Sequence, residues 1–236
     1  MFDNVYCVNL KHRQDRKANI LSQCAKYKLG KVEFFEAING KEHQNNYNLL
    51  PGAFGLILSN IEILKNAKEK KYNSIIILED DCLFLDVLKE NGDEIFNDIN
   101  NTEWDVFWLG CRNRRNPIKD KNNCLQVSSV SYAQSYLIKR DFCKFIIDNF
   151  SETNFFGQPV TPDELLSLAP YGVDVVIHPD KYNYYNLDQP LDVLPTIYKA
   201  MCYKFGLTTQ YSSYSDLWFF DVNYEEYIKQ GFPKDE

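Results

Sequence analysis

Apolar and polar positions fall into blocks of two kinds along this chain. Short apolar runs bounded by polar residues suit strands buried on both faces of a sheet. They occupy residues 5–10, 32–37, 74–78, 105–109, 135–138 and 173–177, the fourth stopped by Gly110. Longer stretches carry apolar residues at helical spacing. One places Ile20, Leu21, Cys24 and Tyr27 on a single face, with Gly30 as a C-terminal stop. A second spans 52–71, with Ile57, Ile61, Leu64 and Ala67 in register, and a third spans 141–150. Pro162 opens a short fourth helix, since proline suits a first helical turn. Strands alternating with helices predict an α/β fold with a mostly parallel central sheet flanked by helices. The 236 residues suit one domain spanning 1–236, with an extended, irregular C-terminal segment from about residue 180 rich in Tyr, Asp and Pro.

One block ends unlike the others. Ile75-Ile76-Ile77-Leu78 runs straight into Glu79-Asp80-Asp81. Adjacent carboxylates repel, so they belong where something positive compensates them. In open α/β sheets the carboxyl ends of strands are where ligands bind. Hard cations such as Mn²⁺ or Mg²⁺ take oxygen ligands, commonly one or two carboxylates plus substrate phosphates. The run therefore reads as a metal–diphosphate site, with a second reading beside it: Asp80 or Asp81 as the cap of a turn through residues 83–88.

Composition and charge remove other classes. Hydrophobic residues make up 44% and charged residues 25%, an ordinary globular mixture. The net charge of −7 and the lack of a basic stripe disfavour nucleic-acid binding. The small cluster Arg112, Arg114 and Arg115 reads as a solvated loop. No Gly-rich phosphate loop, dinucleotide fingerprint or Gly-x-Ser-x-Gly elbow occurs, and none of the three histidines has a hydrolase partner nearby in sequence. Met1-Phe2-Asp3-Asn4 does not resemble a leader, and no apolar run is long enough for a membrane span. Seven cysteines without a Cys-x-x-Cys pair point to reduced thiols and a cytoplasmic setting.

Five separated segments together resemble glycosyltransferase family 25. They are Val5-Tyr6-Cys7-Val8-Asn9-Leu10 followed by Arg13, Asp15 and Arg16; Ala37-Ile38-Asn39-Gly40; Gly52-Ala53-Phe54-Gly55-Leu56-Ile57-Leu58-Ser59; Ile77-Leu78-Glu79-Asp80-Asp81; and Trp104 through Gly110. The resemblance implies a GT-A-like nucleotide-binding fold and a metal-dependent, inverting transfer of galactose or glucose from a UDP-sugar to a hydroxyl of a glycan or protein. It places Asp81, Glu79 and His178 as ligands of Mn²⁺ or Mg²⁺, and Asp163 as the catalytic base. It places Asn9, Arg13, Arg16, Gly52, Gly55, Ser59, Glu79 and Asp80 at the donor nucleotide. Bland readings remain beside these: a helix-start acid for Asp163, a structural His178, solvated Arg13 and Arg16, and a tight turn for the two glycines. Two departures stand out. Asn60 occupies a position where the family carries histidine. The closing Gln and Ser-Asp signature is split between Gln189 and Ser215-Asp216. They motivate an alternative: a catalytically silent relative that binds a nucleotide or glycan without turnover.

Overall fold

Four consecutive apolar residues, Ile75 to Leu78, can be buried only if both faces of their strand are covered, and that requirement organises the fold. The computed structural model describes residues 2–43, 51–113, 118–119, 122–127, 130–149, 199–210, 213–214 and 221–222. The expected helix at Pro162, the strand at 173–177, and residues Asp163, His178, Gln189, Arg114 and Arg115 lie outside them.

Strand β1 (Asn4–Asn9) pairs in parallel with β2 (Val32–Glu36) on one side and with β3 (Ser74–Glu79) on the other. Helices α1 (Gln14–Lys26) and α2 (Pro51–Glu69) make the crossovers. After β3 come a short strand β4 (Cys82–Phe84), helix α3 (Val87–Asn100) and strand β5 (Val106–Asn113). Strands β6 (Ile118–Lys119), β7 (Cys124–Gln126) and β8 (Val130–Lys139), helix α4 (Arg140–Asn149), and strands β9 (Ala200–Tyr203) and β10 (Thr208–Gln210) follow. Strands β11 (Ser213–Tyr214) and β12 (Asp221–Val222) pair with each other.

The central sheet has eight strands in the order β2-β1-β3-β8-β5-β9-β7-β6. Only β8 and β7 run against the rest, so the sheet is mostly parallel by strand direction. Alternation sorts its side chains into two cores. Tyr6, Val8, Ile75 and Ile77 join Phe54, Ile57, Ile61 and Leu64 of α2 and Phe142 of α4. Val5, Cys7, Ile76 and Leu78 join Ile20 and Cys24 of α1 and Ile95 and Ile99 of α3. Each fully buried aliphatic side chain contributes about 1.5–3 kcal/mol, which explains why β3 holds the centre. No described helix is long and apolar enough to cross a membrane. All seven cysteines are buried.

Several expectations change. Leu21 is 50% exposed; the buried stripe of α1 is Arg16, Ile20 and Cys24, one residue every fourth position. The helix ends at Lys26, and Lys28 (φ 55°) takes the left-handed conformation ahead of Gly30 (φ 83°). Neither Asp80 nor Asp81 caps a helix, because β4 follows them at once and α3 begins only at Val87. Helix α3 itself is poorly marked in the sequence, since Asn91 is non-helical (φ −126°) and Gly92 follows it. Gly110 does not stop β5. It sits inside the strand, at a register irregularity, where an added Cβ would collide with Thr208 and with the Gln134 amide. Residues 199–210, within the segment expected to be irregular, supply β9 to the central sheet and β10 beside β4.

Candidate active site

The turn Asp80-Asp81 closes β3 at its carboxyl end. In the parallel register Val8 lies opposite Glu79, which carries the last residue of β1, Asn9, up beside Asp80. Asn9 Nδ2 donates to Asp80 Oδ2 at 2.8 Å and also reaches the Arg13 carbonyl at 3.2 Å. One residue thus ties the first loop to the acid turn.

Arg16 approaches from the helix side. As the first member of the buried stripe of α1, it is carried under the sheet edge with Ile20 and Cys24. Its Nη1 donates to Asp80 Oδ1 at 2.7 Å and lies 3.5 Å from Asp81 Oδ2. Strand β10 completes the surround. Gln210 pairs with Cys82 in the β4–β10 ladder, and its Nε2 lies 3.5 Å from Asp81 Oδ1. Arg16, Asp80, Asp81 and Gln210 are each under a tenth exposed.

Two carboxylates therefore share one guanidinium in a buried setting. Asp80 holds the short bonds to Arg16 and Asn9, whereas Arg16 and Gln210 approach Asp81 at the longer distance of 3.5 Å. Burial pushes the Asp81 carboxyl up to about 6, with Asp80 adding to the shift and Arg16 opposing it. Burial also pushes the adjacent thiols of Cys7 and Cys82 up, which keeps them protonated and neutral.

The other expected residues fall in different places. Arg13 grips Asp15 with a fork of two bonds, 3.1 Å from Nε and 2.9 Å from the terminal nitrogen, and so holds the Asp15 carboxyl down at about 2. Glu79 is half-buried at the end of β3. Among the described residues no three His, Cys, Asp or Glu side chains converge on a point, so the acidic run alone is not a three-ligand shell. Gly52 is exposed in the first turn of α2. Gly55 has a visible packing reason: an added Cβ would collide with the Ile38 carbonyl oxygen, because α2 lies directly on the loop entering the short helical turn Gly40–Glu42. Ser59 is fully buried. Its Oγ donates to the Gly55 carbonyl at 2.7 Å and accepts from the Ile38 N–H at 2.9 Å, so its hydroxyl fastens that same loop.

Gln210 was not legible as a site residue. It ends a polar triplet, Thr208-Thr209-Gln210, that carries no apolar period, and only the ladder with β4 brings it to Asp81. The interior position of Arg16 did have a signal, since it stands four residues before Ile20 and eight before Cys24.

In an open α/β sheet the carboxyl ends of the strands are where ligands bind, and the paired acids stand at such an end. The model of glycosyltransferase family 25 (LPS biosynthesis protein) matches residues 2–166, and the chain belongs to that family. It is similar to procollagen galactosyltransferase 2 of Homo sapiens, 22% identical over 227 residues, which cover 84% of this chain and 36% of that protein. It is also similar to a procollagen lysyl hydroxylase and glycosyltransferase of Acanthamoeba polyphaga mimivirus, 25% identical over 198 residues, covering 71% of this chain and 22% of the relative. The chain thus spans well under half the length of these relatives. Among solved structures, A197 from STIV is similar with a TM-score of 0.44 and 11% identity, covering 94% of this chain and 95% of that one.

Proposed function

We propose that the protein is a metal-dependent glycosyltransferase that moves a hexose from a UDP-sugar to a hydroxyl on a glycan or protein, with inversion at the anomeric carbon. One observation carries the reading: the buried group of Asp80, Asp81 and Arg16 at the end of β3 holds two acids against one base. Galactose is the favoured hexose, because the similar animal proteins are named as galactosyltransferases.

The residues present fit a hard divalent cation. The donor atoms are oxygens, and Asp81 is the carboxylate that Arg16 and Asn9 leave least compensated. Asp81 would hold the ion, with Glu79 and His178 as further candidates. Held there, a divalent cation would supply charge neutralisation for the departing diphosphate. Asp80 serves as the anchor that orients Arg16 and Asn9 around this carboxylate. In the transfer itself the acceptor oxygen bonds to the anomeric carbon as the bond to the diphosphate oxygen breaks. The acceptor proton passes to Asp163, the proposed base.

The test is a panel of sugar nucleotides with Mn²⁺ and candidate acceptors, read as UDP release. Release that needs Mn²⁺ and is abolished in Asp81→Ala supports the reading. Tight UDP binding with no release under any acceptor would instead support the catalytically silent relative, for which Asn60 is the sequence motive. Release that persists with chelator present would overturn the metal-dependent mechanism.

A further inference from the structure

Strand β10 consists of three polar residues, and all three are buried. Polar side chains settle inside a protein where partners await them. Alternation along the strand puts Thr208 and Gln210 on one face. There Thr208 Oγ1 accepts from Gln134 Nε2 at 3.1 Å and shares a 2.6 Å hydrogen bond with Ser135 Oγ. The row runs on to Gln210, whose Nε2 approaches Asp81 Oδ1. The register fixes this approach, since Gln210 is paired with Cys82, the residue directly after Asp81.

The other half of the Gln210 amide is unmatched. Gln210 is 8% exposed, yet among the described residues its Oε1 accepts from no donor. A buried carbonyl oxygen in that position is unfavourable unless something electropositive comes to it. It belongs to the amide whose nitrogen lies 3.5 Å from Asp81 Oδ1. Hard cations take carboxylate and side-chain carbonyl oxygens together in one shell.

We propose that Gln210 is a ligand of the divalent cation at Asp81, its carbonyl oxygen joining the carboxylate while its amide nitrogen steadies it; this rests on the metal-dependent reading above. The geometry supplies what the acidic run lacks, a further oxygen from a separate part of the chain. It also gives the site a modest charge. With Asp80 paired to Arg16, Asp81 brings one negative charge and Gln210 adds a neutral donor. Mn²⁺ then binds the free protein weakly and binds much better once a diphosphate supplies the remaining ligands.

The experiment is calorimetric titration of the full chain with MnCl₂, with and without UDP, for wild type, Gln210→Leu, Gln210→Glu and Asp81→Asn. Melting temperature and circular dichroism establish that each variant is folded. Gln210→Leu should weaken Mn²⁺ binding about tenfold or more. Gln210→Glu should tighten it, because a carboxylate ligates better than an amide. The Glu variant separates ligation from positioning. A residue that acted only by donating to Asp81 would, as Glu, repel that carboxylate and weaken binding. Unchanged affinity in Gln210→Leu, or weakened affinity in Gln210→Glu, overturns the assignment. If the Leu variant does not fold, the Glu variant decides. If Asp81→Asn abolishes binding and Gln210→Leu does not, Gln210 falls and the metal-dependent reading stands. If wild type takes up no Mn²⁺ even with UDP, both fall together.

Discussion

Replacing Asp81 by Asn should make the metal-free protein more stable. Its carboxyl is raised to about 6 from 3.8, first by burial and then by Asp80. That difference corresponds to about 3 kcal/mol. The sign follows from proton binding. Between the unfolded and folded values the native state holds more protons, so stability is greatest below 3.8, falls as pH rises toward 6, and is flat above. Asparagine carries no charge to desolvate. Its carbonyl oxygen can accept from Arg16, and its amide can donate to Gln210 Oε1 once the Gln210 amide turns over, since the Gln210 nitrogen is the atom that faces Asp81 Oδ1. Urea denaturation with chelator present, at pH values from 4 to 8, should show Asp81→Asn more stable by about 3 kcal/mol above pH 7. The gap should close as pH falls below about 4. A variant equally or less stable at pH 7.5, or a gap that ignores pH, would refute the claim that Asp81 is a buried and undercompensated charge.

Arg16→Met removes the guanidinium and strands both acids, so it should cost about 3–5 kcal/mol at pH 7.5 and less near pH 5, where Asp81 is protonated. A loss below about 1 kcal/mol in urea denaturation would mean the cluster is solvated. Gly55→Ala should destabilise by about 1–3 kcal/mol despite its better helix propensity, because the methyl forces α2 away from Ile38; an unchanged urea midpoint would show that the loop yields freely. Asp163→Asn should bind UDP as wild type does and lose transfer, and full turnover in that variant would exclude Asp163 as the base.

The chain's own pattern marked the apolar strands of the sheet centre and the helices α1, α2 and α4, and where the acids sit along them. Apolar runs such as Ile75 to Leu78 are legible because burial on both faces needs no knowledge of the partner. The end of such a run is therefore legible too, and with it the place of Asp80 and Asp81. Periodicity also marked the inner face of α2, whose Ile57, Ile61, Leu64 and Ala67 are all buried. Where the pattern is broken or polar, it fails. Asn91-Gly92 hides α3, and Thr208-Thr209-Gln210 shows no period at all.

Only the folded chain decided what surrounds the acids. Asn9, Arg16 and Gln210 lie 71, 64 and 129 residues from their carboxylate partners. Hydrophobic patterning says which face is inside, but the partner of a buried polar group is set by register and by which strand lies next to which. Val8 opposite Glu79, and Gln210 opposite Cys82, are facts of pairing that no local stretch contains. A buried charge is tolerated only where the whole fold delivers its counter-charge and hydrogen bonds, and here that delivery depends on three elements meeting at one turn.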